Sequence, residues 1–154
     1  MISLYEISFH ELNPTTLHDI YALRSEVFVV EQNCIYQDID GKDKEAIHIV
    51  GRVKENIAAY ARILSHQLSS SNSVSIGRIV ISEKERGKGY GHKLVEFCIS
   101  VIKKKWATKK IIISAQAHLK EFYESHGFVK KGDQYLEDGI PHIKMIKNNN
   151  LDNL

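Results

Sequence analysis

The residues with the clearest chemical potential form the segment Arg86-Gly87-Lys88-Gly89-Tyr90-Gly91. Its glycines occur at alternate positions, so the backbone is bare and successive N–H groups can turn toward one anion. Arg86 and Lys88 add positive charge, and a helical pattern follows directly, whose N-terminal dipole favours a negatively charged ligand. The segment therefore predicts a binding site for a phosphate or pyrophosphate group.

The neighbouring elements are expected to hold this segment in place. A β-branched run, VSIGRIVI, precedes it, and the helical pattern HKLVEFCISVIKKKW follows it to roughly Trp106. Asn13-Pro14 predicts the start of an earlier helix that runs to about Val30, because an asparagine N-cap followed by proline is typical of a helix N-terminus. Periodicity along the chain predicts the order β, α, β, β, β, α, β, α, β, β. We therefore expect an α/β protein with a mixed, partly antiparallel central sheet flanked by helices.

Length and composition indicate one ordinary globular domain. The 154 residues carry a net charge of +2, which is too near neutral to indicate general nucleic-acid binding. We predict a single domain over residues 1–147 and a polar tail at 148–154, with a low-complexity connector, HQLSSSNS, at 66–73. The N-terminus lacks signal-peptide features, and no run reaches the ~18 apolar residues of a membrane span, so a cytoplasmic protein is expected.

Neither a metal site nor a disulfide is indicated. Cys34 and Cys98 are the two cysteines and form no CxxC pair, and Cys98 lies in a helical apolar pattern that predicts a core residue. The run DIDGKD at 38–43 has its glycine at the fourth position, whereas a calcium-binding EF-hand loop requires it at the sixth. We interpret this run as a turn and expect no bound metal.

The glycine spacing excludes two common phosphate-binding motifs. A P-loop requires GxxxxGK[ST], which is absent, and the dinucleotide fingerprint GxGxxG requires its third glycine one position after Gly91. What remains is Arg-x-x-Gly-x-Gly after a β-branched strand, and this pattern resembles the acyl-CoA signature of the GNAT superfamily of N-acetyltransferases. Downstream, IIISAQAHLKEFYESHGF resembles the family's splayed strand and short helix, with Tyr123 and then Gly127-Phe128.

The resemblance covers nearly the whole chain and points to the small bacterial ElaA-like branch. It extends through LRSEVFVVEQNCIYQDIDGKDKEAIHI, AYARIL, IGRIVI and YLEDGIPHIKM. It implies the GNAT acyl-CoA acyltransferase fold, with acetyl-CoA as the acyl-donor cosubstrate. The nest would hold the pyrophosphate, and the preceding strand would pair with the pantetheine amides and polarise the thioester carbonyl near Val80. The implied cofactor-binding residues are Ile79, Val80, Ile81, Arg86, Gly87, Lys88, Gly89, Tyr90, Gly91, Gln116, Phe122 and Tyr123.

Transfer of an acetyl group to an amine needs a proton donor for the leaving thiolate and a proton acceptor for the amine. The resemblance implies that Tyr123 is the donor; the alternative is a half-buried core tyrosine whose hydroxyl is satisfied elsewhere. Relatives often place a glutamate base on the fourth strand, but this strand offers Arg78. We therefore predict His142 as the base, because a histidine pKa lies near neutrality, with Glu31 or Glu137 acting through water as alternatives. Proton loss directly to water is also open.

Three arginines lie in patterns that otherwise look buried. Arg24, Arg62 and Arg78 could together bind a carboxylate on the acceptor, near Glu137. The alternative, which we favour slightly, is that they pair with Glu26, Glu31 or the aspartates of the loop that follows the first helix.

The leading functional hypothesis is an N-acetyltransferase that moves the acetyl group of acetyl-CoA directly to a primary amine of a small molecule or protein. One alternative is an acyl-homoserine-lactone-synthase-like acyltransferase, which residues 24–43 vaguely resemble. Another is a regulatory module that senses CoA without turnover. The expected partners are acetyl-CoA and an amine acceptor, without nucleic acid or membrane, and the resemblance is compatible with a homodimer.

Overall fold

The computed structural model describes residues 1–65, 73–106 and 110–148, which form one seven-stranded sheet with helices on both faces. The strands are β1 (Ser3–Ser8), β2 (Ile47–Val53), β3 (Asn56–Ser65), β4 (Ser73–Ile81), β5 (Lys110–Gln116), β6 (Val129–Glu137) and β7 (Ile140–Lys147). The α-helices are α1 (Pro14–Arg24), α2 (Tyr90–Lys105) and α3 (Lys120–Glu124). The strand order is β1-β2-β3-β4-β5-β7-β6, and this mixed sheet confirms the predicted α/β class.

Most of the predicted tail and connector lies outside the described residues. Asn148 of the tail is described without regular structure, and Ser73, the last residue of the predicted connector, begins β4. In the described part of the chain, no helix is long and apolar enough to cross a membrane.

The core lies on both faces of the sheet, because side chains alternate along the strands. Ala59 and Ala61 of β3 belong to the cluster under α2, whereas Tyr60 between them packs under α1. Cys98 of α2 is completely buried in the first cluster, which confirms the predicted core position. Burying such apolar side chains stabilises the fold by about 1.5–3 kcal/mol for each large residue.

The first helix begins as predicted but ends early. The Asn13 side chain accepts a hydrogen bond from the Thr16 amide at 2.7 Å, and Pro14 occupies the first turn. After Arg24 the backbone widens into a π-helical segment, Ser25–Glu31, so the prediction of one α-helix to Val30 is wrong. The wider turn is a tertiary feature that periodicity does not report, and such turns often occur at functional sites.

Two hairpins form where the sequence predicts them. β2 and β3 pair antiparallel across the turn after Val53, and β6 and β7 pair across Asp138-Gly139. Both turn residues of the second hairpin have positive φ, 50° and 79°, which is the backbone twist that two-residue hairpins favour. The second hairpin places Glu137 and His142 at one end of the sheet.

A gap opens in the centre of the sheet. Among the described residues, the parallel strands β4 and β5 pair at three positions, where Ser73–Ser75 meet Lys110–Ile112. Beyond these pairs β4 continues to Ile81 without pairing to β5, so its backbone N–H and C=O groups on that side are open. The β3–β4 register also shifts near Arg78, whose φ of 53° marks a bulge. The gap therefore lies beside an irregular and accessible stretch of β4.

A strand glycine tests the tight packing of the sheet. A Cβ on Gly51 would lie 2.8 Å from Ile2 Cδ1 and 2.9 Å from the Cβ of Ala59. Gly51→Ala should therefore lower the free energy of unfolding by about 1–3 kcal/mol, the usual range for overpacking. Gly77→Ala is the matched control, because the nearest atom to its Cβ is Arg62 Nε at 4.0 Å. Urea unfolding of both variants measures the difference; equal losses would contradict this packing.

Candidate active site

The glycine-rich segment forms an open amide nest at the N-terminus of α2. Gly87 and Gly89 have φ values of 79° and 78°, a left-handed conformation that glycine adopts without steric penalty. Gly89 is the N-cap of α2, so the uncapped N–H groups of the first turn lie next to it. Apart from the chain neighbours, no atom of the described residues lies within 4 Å of the Cβ position of either glycine. This geometry suits an anion that approaches the backbone directly.

The charged side chains of the nest have protein partners. Arg86 forms two hydrogen bonds to the Glu31 carboxylate, at 3.1 and 2.9 Å, and its Nε donates to the Ile81 carbonyl oxygen at 3.1 Å. Lys88 donates to Glu85 at 2.6 Å. The structure thus brings a predicted base, Glu31, against a predicted phosphate ligand, Arg86. The open part of the nest is its backbone.

Tyr123 of α3 is buried near the nest. Phe122 lies 3.5 Å from the Cβ position of Gly91 and packs edge-on against Tyr123, with ring centroids 5.0 Å apart. Tyr123 is 5% exposed, and burial raises the pKa of its phenol well above the usual tyrosine value. The phenol is therefore protonated at neutral pH and can donate a proton. Its ring belongs to the buried core under α2, and within the described ranges its hydroxyl has no hydrogen-bond partner.

The strand residues of the predicted cofactor site line the gap. Ile79, Val80 and Ile81 follow the bulge on β4; Val80 is buried under α1, whereas the other two pack against the α2 cluster. Gln116 ends β5 and is the cross-strand partner of His142 on β7. The β4 side of the gap therefore carries the predicted thioester-binding backbone, and the predicted base lies on β7, the strand next to β5.

His142 is fixed in orientation by its neighbours. Its Nδ1 donates to the Ile140 carbonyl oxygen at 2.7 Å, which leaves the lone pair of the neutral ring on Nε2. Nε2 lies 3.2 Å from the Glu137 carboxylate. The Tyr135 ring stacks on the imidazole at 6.2 Å between centroids, and the Tyr135 hydroxyl forms a hydrogen bond with Ser114. Ser114 and Tyr135 were missed from the sequence, since only strand register brings them to His142.

Arg24 is at the centre of a buried ionic network. Its Nε donates to Asp38 at 3.0 Å and its Nη1 to Asp43 at 2.8 Å. Its Nη2 donates to the Asp38 carbonyl oxygen at 3.0 Å, and the guanidinium lies over the rings of Tyr21 and Tyr60. Arg24 is 0% exposed, so an acceptor cannot reach it. Its predicted substrate contact is corrected to a structural role.

Arg62 and Arg78 complete the network. Arg62 forms bonds of 2.8 and 2.6 Å to Asp40 and one of 3.2 Å to Asp43. The Arg62 guanidinium holds the pKa of Asp40 well below its usual range. Arg62 is 4% exposed, so its predicted acceptor contact is corrected in the same way. Arg78 donates to Asp38 at 2.8 Å but keeps 22% of its side chain exposed.

The ion-pair hypothesis named Glu26, Glu31 or the aspartates of the following loop, and the aspartates are the partners of the three arginines. Glu26 and Glu31 do not take part, since Glu31 pairs with Arg86. Residues 38–43 were predicted to form a turn, and their aspartates were named as one of three possible sets of partners, without a choice among them. Three aspartates in six residues, opposite three arginines in apolar patterns, are the signal that could have decided the choice.

His48 and Cys34 tie the same loop to its surroundings. The His48 Nε2 donates to the Asp43 carbonyl oxygen at 2.8 Å, and its Nδ1 accepts from the Tyr60 hydroxyl at 2.7 Å. Burial lowers the pKa of His48, which keeps the ring neutral. The Cys34 Sγ lies 3.5 Å from the Asp138 carbonyl oxygen and connects the loop to the β6–β7 turn. The loop is thus held at one end against β2 and β3 and at the other against the β6–β7 turn.

The described residues contain no group of three or more histidine, cysteine or acidic side chains arranged to hold a metal ion.

Comparison with known proteins identifies relatives of the whole chain. A family model described as an acetyltransferase (GNAT) domain matches residues 13–149. Protein ElaA of Escherichia coli strain K12 is 42% identical over 149 residues, covering 96% of this chain and 97% of ElaA.

Solved structures agree with this result. The crystal structure of Escherichia coli ElaA gives a TM-score of 0.91 at 41% identity, covering 96% of this chain and all of that chain. An acyl-CoA N-acyltransferase from Pseudomonas aeruginosa gives 0.89 at 37%, covering 96% and 99%. The acyl-homoserine-lactone synthase LasI gives 0.78 at 12%, covering 97% and 91%, a likeness of fold alone.

The ionic network generates a stability prediction. Asp43→Asn removes the carboxylate that Arg24 and Arg62 share and leaves buried positive charge uncompensated. The variant should lose about 3–5 kcal/mol of unfolding free energy, as expected when one partner of a buried pair is removed. Urea unfolding at pH 7 measures the loss. Asp40→Asn is the matched control and should lose less than half as much, because Asp40 is partly exposed; similar small losses for both would contradict the network.

Proposed function

The chain belongs to the GNAT acetyltransferase family, and we propose that it is an N-acetyltransferase that moves the acetyl group of acetyl-CoA to a primary amine. The transfer is direct, in a ternary complex of enzyme, acetyl-CoA and amine. The observation that carries the proposal is the gap between β4 and β5, which opens beside the amide nest of α2. The open edge of β4 would bind the extended arm of the cosubstrate, and the nest would bind its pyrophosphate.

The open edge of β4 is suited to the pantetheine arm. Its unpaired N–H and C=O groups can accept an extended chain of amides as an added strand. The backbone of Ile79–Ile81 then lies along the cosubstrate, and an N–H near Val80 would polarise the thioester carbonyl. The bulge at Arg78 supports this role, since it exposes backbone groups at the same level of the strand.

The nest is suited to the pyrophosphate. The amides of the Gly87–Gly91 backbone and the N-terminal dipole of α2 would meet the negative charge. Lys88 is half-exposed in its pair with Glu85 and can turn toward the phosphates. Arg86 anchors the nest through Glu31 and Ile81 and adds positive charge beside it.

The proposed chemical step uses Tyr123 of α3 as proton donor and His142 of β7 as proton acceptor. The amine nitrogen attacks the thioester carbon, the C–N bond forms, and the C–S bond breaks with its electron pair going to sulfur. Tyr123, held neutral by burial, would protonate the leaving thiolate and later recover a proton from solvent. The amine proton would pass to Nε2 of His142, next to the Glu137 carboxylate. Glu31 remains a water-mediated alternative.

The acceptor would enter beside the β6–β7 hairpin. Of the predicted acceptor-binding residues, Glu137 on β6 is half-exposed and Arg78 on β4 keeps 22% of its side chain exposed. Arg24 and Arg62 would contribute to acceptor binding only indirectly, because their ion pairs hold the loop of residues 38–43 in place.

Replacement of Tyr123 by phenylalanine tests the proposal. Tyr123→Phe should lower the rate of thiol release from acetyl-CoA about 100-fold, the usual contribution of a general acid. The dissociation constant for CoA, measured by calorimetry, should change less than about threefold, because phenylalanine keeps the buried ring beside the cosubstrate and only the hydroxyl is lost. The assay uses labelled acetyl-CoA and an amine-containing metabolite extract, in which the species that gains label identifies the acceptor.

Tyr5→Phe is the matched control, since this tyrosine contacts Arg52 on β2 and should leave turnover unchanged. Protein that does not bind acetyl-CoA would refute the proposal. Binding without turnover, unaffected by Tyr123→Phe, would instead support a CoA-sensing module.

A further inference from the structure

One face of the β5–β7–β6 part of the sheet is open to solvent next to His142. Strand register places Ser114, Lys144 and Lys131 in one row across the three strands. The adjacent row contains Gln116, His142 and Tyr135. Cross-strand partners share a face, and so do residues two apart on one strand, so both rows lie on the same face.

Without a bound anion, the two positive charges of Lys131 and Lys144 repel each other across the β6–β7 pair. Like charges directly opposite each other on neighbouring strands destabilise a sheet. Both lysines are exposed, and in the part of the chain that the structure describes neither has an acidic partner. Such a pair is stabilised when an anion binds between the two ammonium groups.

A bulge in β6 brings this pair close to the candidate base. Lys131 and Tyr135 are four residues apart in sequence, but their partners Lys144 and His142 are only two apart on β7. Gly132 has a φ of 80°, a left-handed backbone conformation that glycine adopts without steric penalty and that the bulge uses. The two lysines therefore lie one step along the sheet, about 7 Å, from the row of His142.

This face carries one negative and two positive side chains close together. The half-exposed Glu137 carboxylate lies 3.2 Å from His142 Nε2 and 3.5 Å from the Ser114 hydroxyl, and the two lysines follow Ser114 in its row. A molecule with an ammonium group at Glu137 and an anionic group at the lysines would be complementary to it. The face thus favours an amine that also carries a negative charge.

We propose that the acetyl acceptor is a small-molecule amine that carries a carboxylate or phosphate, and that Lys131 and Lys144 bind this anionic group. The proposal rests on the proposed acetyltransferase function and names the substrate class of the same site. The amine nitrogen lies at His142, and the anion lies about 7 Å away along the sheet. The two lysines select the acceptor and take no part in the chemical step.

Matched probes test the role of the negative charge. CoA-saturated protein is titrated with 6-aminohexanoate, with 5-aminopentyl phosphate and with 6-aminohexanamide, whose far end is uncharged, while the backbone amide signals of Lys131 and Lys144 are followed by NMR. At least one anionic probe should bind about 10-fold more tightly than the amide, as two partly exposed charge pairs predict. The tighter of the two identifies the preferred anion.

Two double variants distinguish an effect of Lys131 and Lys144 from an effect of the protein's net charge. Lys131→Gln with Lys144→Gln should abolish the preference for the anionic probes and leave CoA affinity unchanged. Lys104→Gln with Lys130→Gln is the charge-matched control and should keep the preference, because Lys104 lies on α2 and Lys130 points to the other face of β6.

Three results would overturn the proposal: equal affinity for the probes with an anionic group and for the amide, no binding of any probe, or a preference that survives loss of both lysines. A change of sedimentation coefficient in the Lys131/Lys144 variant would also overturn it, because it would show that this face binds a second copy of the chain. The proposed function is judged separately, by acetyl-CoA binding and Tyr123-dependent turnover in the same protein. It can therefore survive the failure of this inference.

Discussion

The buried network of Arg24, Arg62 and Arg78 with the aspartates of residues 38–43 is the interaction on which the site depends. A guanidinium removed from water is strongly destabilising unless carboxylates meet it, and these arginines lie on the sheet or on the helix above it. The loop must therefore fold back over β3 and β4 to supply its carboxylates. The position of the loop of residues 38–43 is therefore set by the need to neutralise the buried arginines.

The network also joins the parts of the candidate site to one another. Arg78 stands at the β4 bulge, directly before the backbone proposed to hold the thioester, and its partner Asp38 also pairs with Arg24. The same loop reaches the β6–β7 turn through Cys34, next to the strands that carry Glu137 and His142. At the end of the π-helical segment, Glu31 connects to the nest through Arg86. Direct contacts therefore connect the loop to the β6–β7 turn and to the bulge, and the π-helical segment to the nest.

Features set by local physics were predictable from the sequence. The nest and both hairpins were located because glycine spacing, turn residues and strand alternation act within a few residues. The network was only half predicted: the arginines were identified, but their partners lie 14 to 40 residues away, and nothing local selects Asp38 over Glu26. The helix end at Arg24 and the neighbours of His142 were missed for the same reason, since widened turns and strand register are tertiary outcomes.

Native-state hydrogen exchange of the loop amides tests most directly whether the network fixes the loop. The Lys42 amide donates to the Asp40 side chain at 3.1 Å and the Ala46 amide to the Asp43 carbonyl oxygen at 3.3 Å. If the buried ion pairs hold the loop, both amides should exchange at neutral pH with opening free energies of several kcal/mol, approaching those of the core strands. Exchange at close to the unfolded-chain rate, while β3 remains protected, would contradict the account.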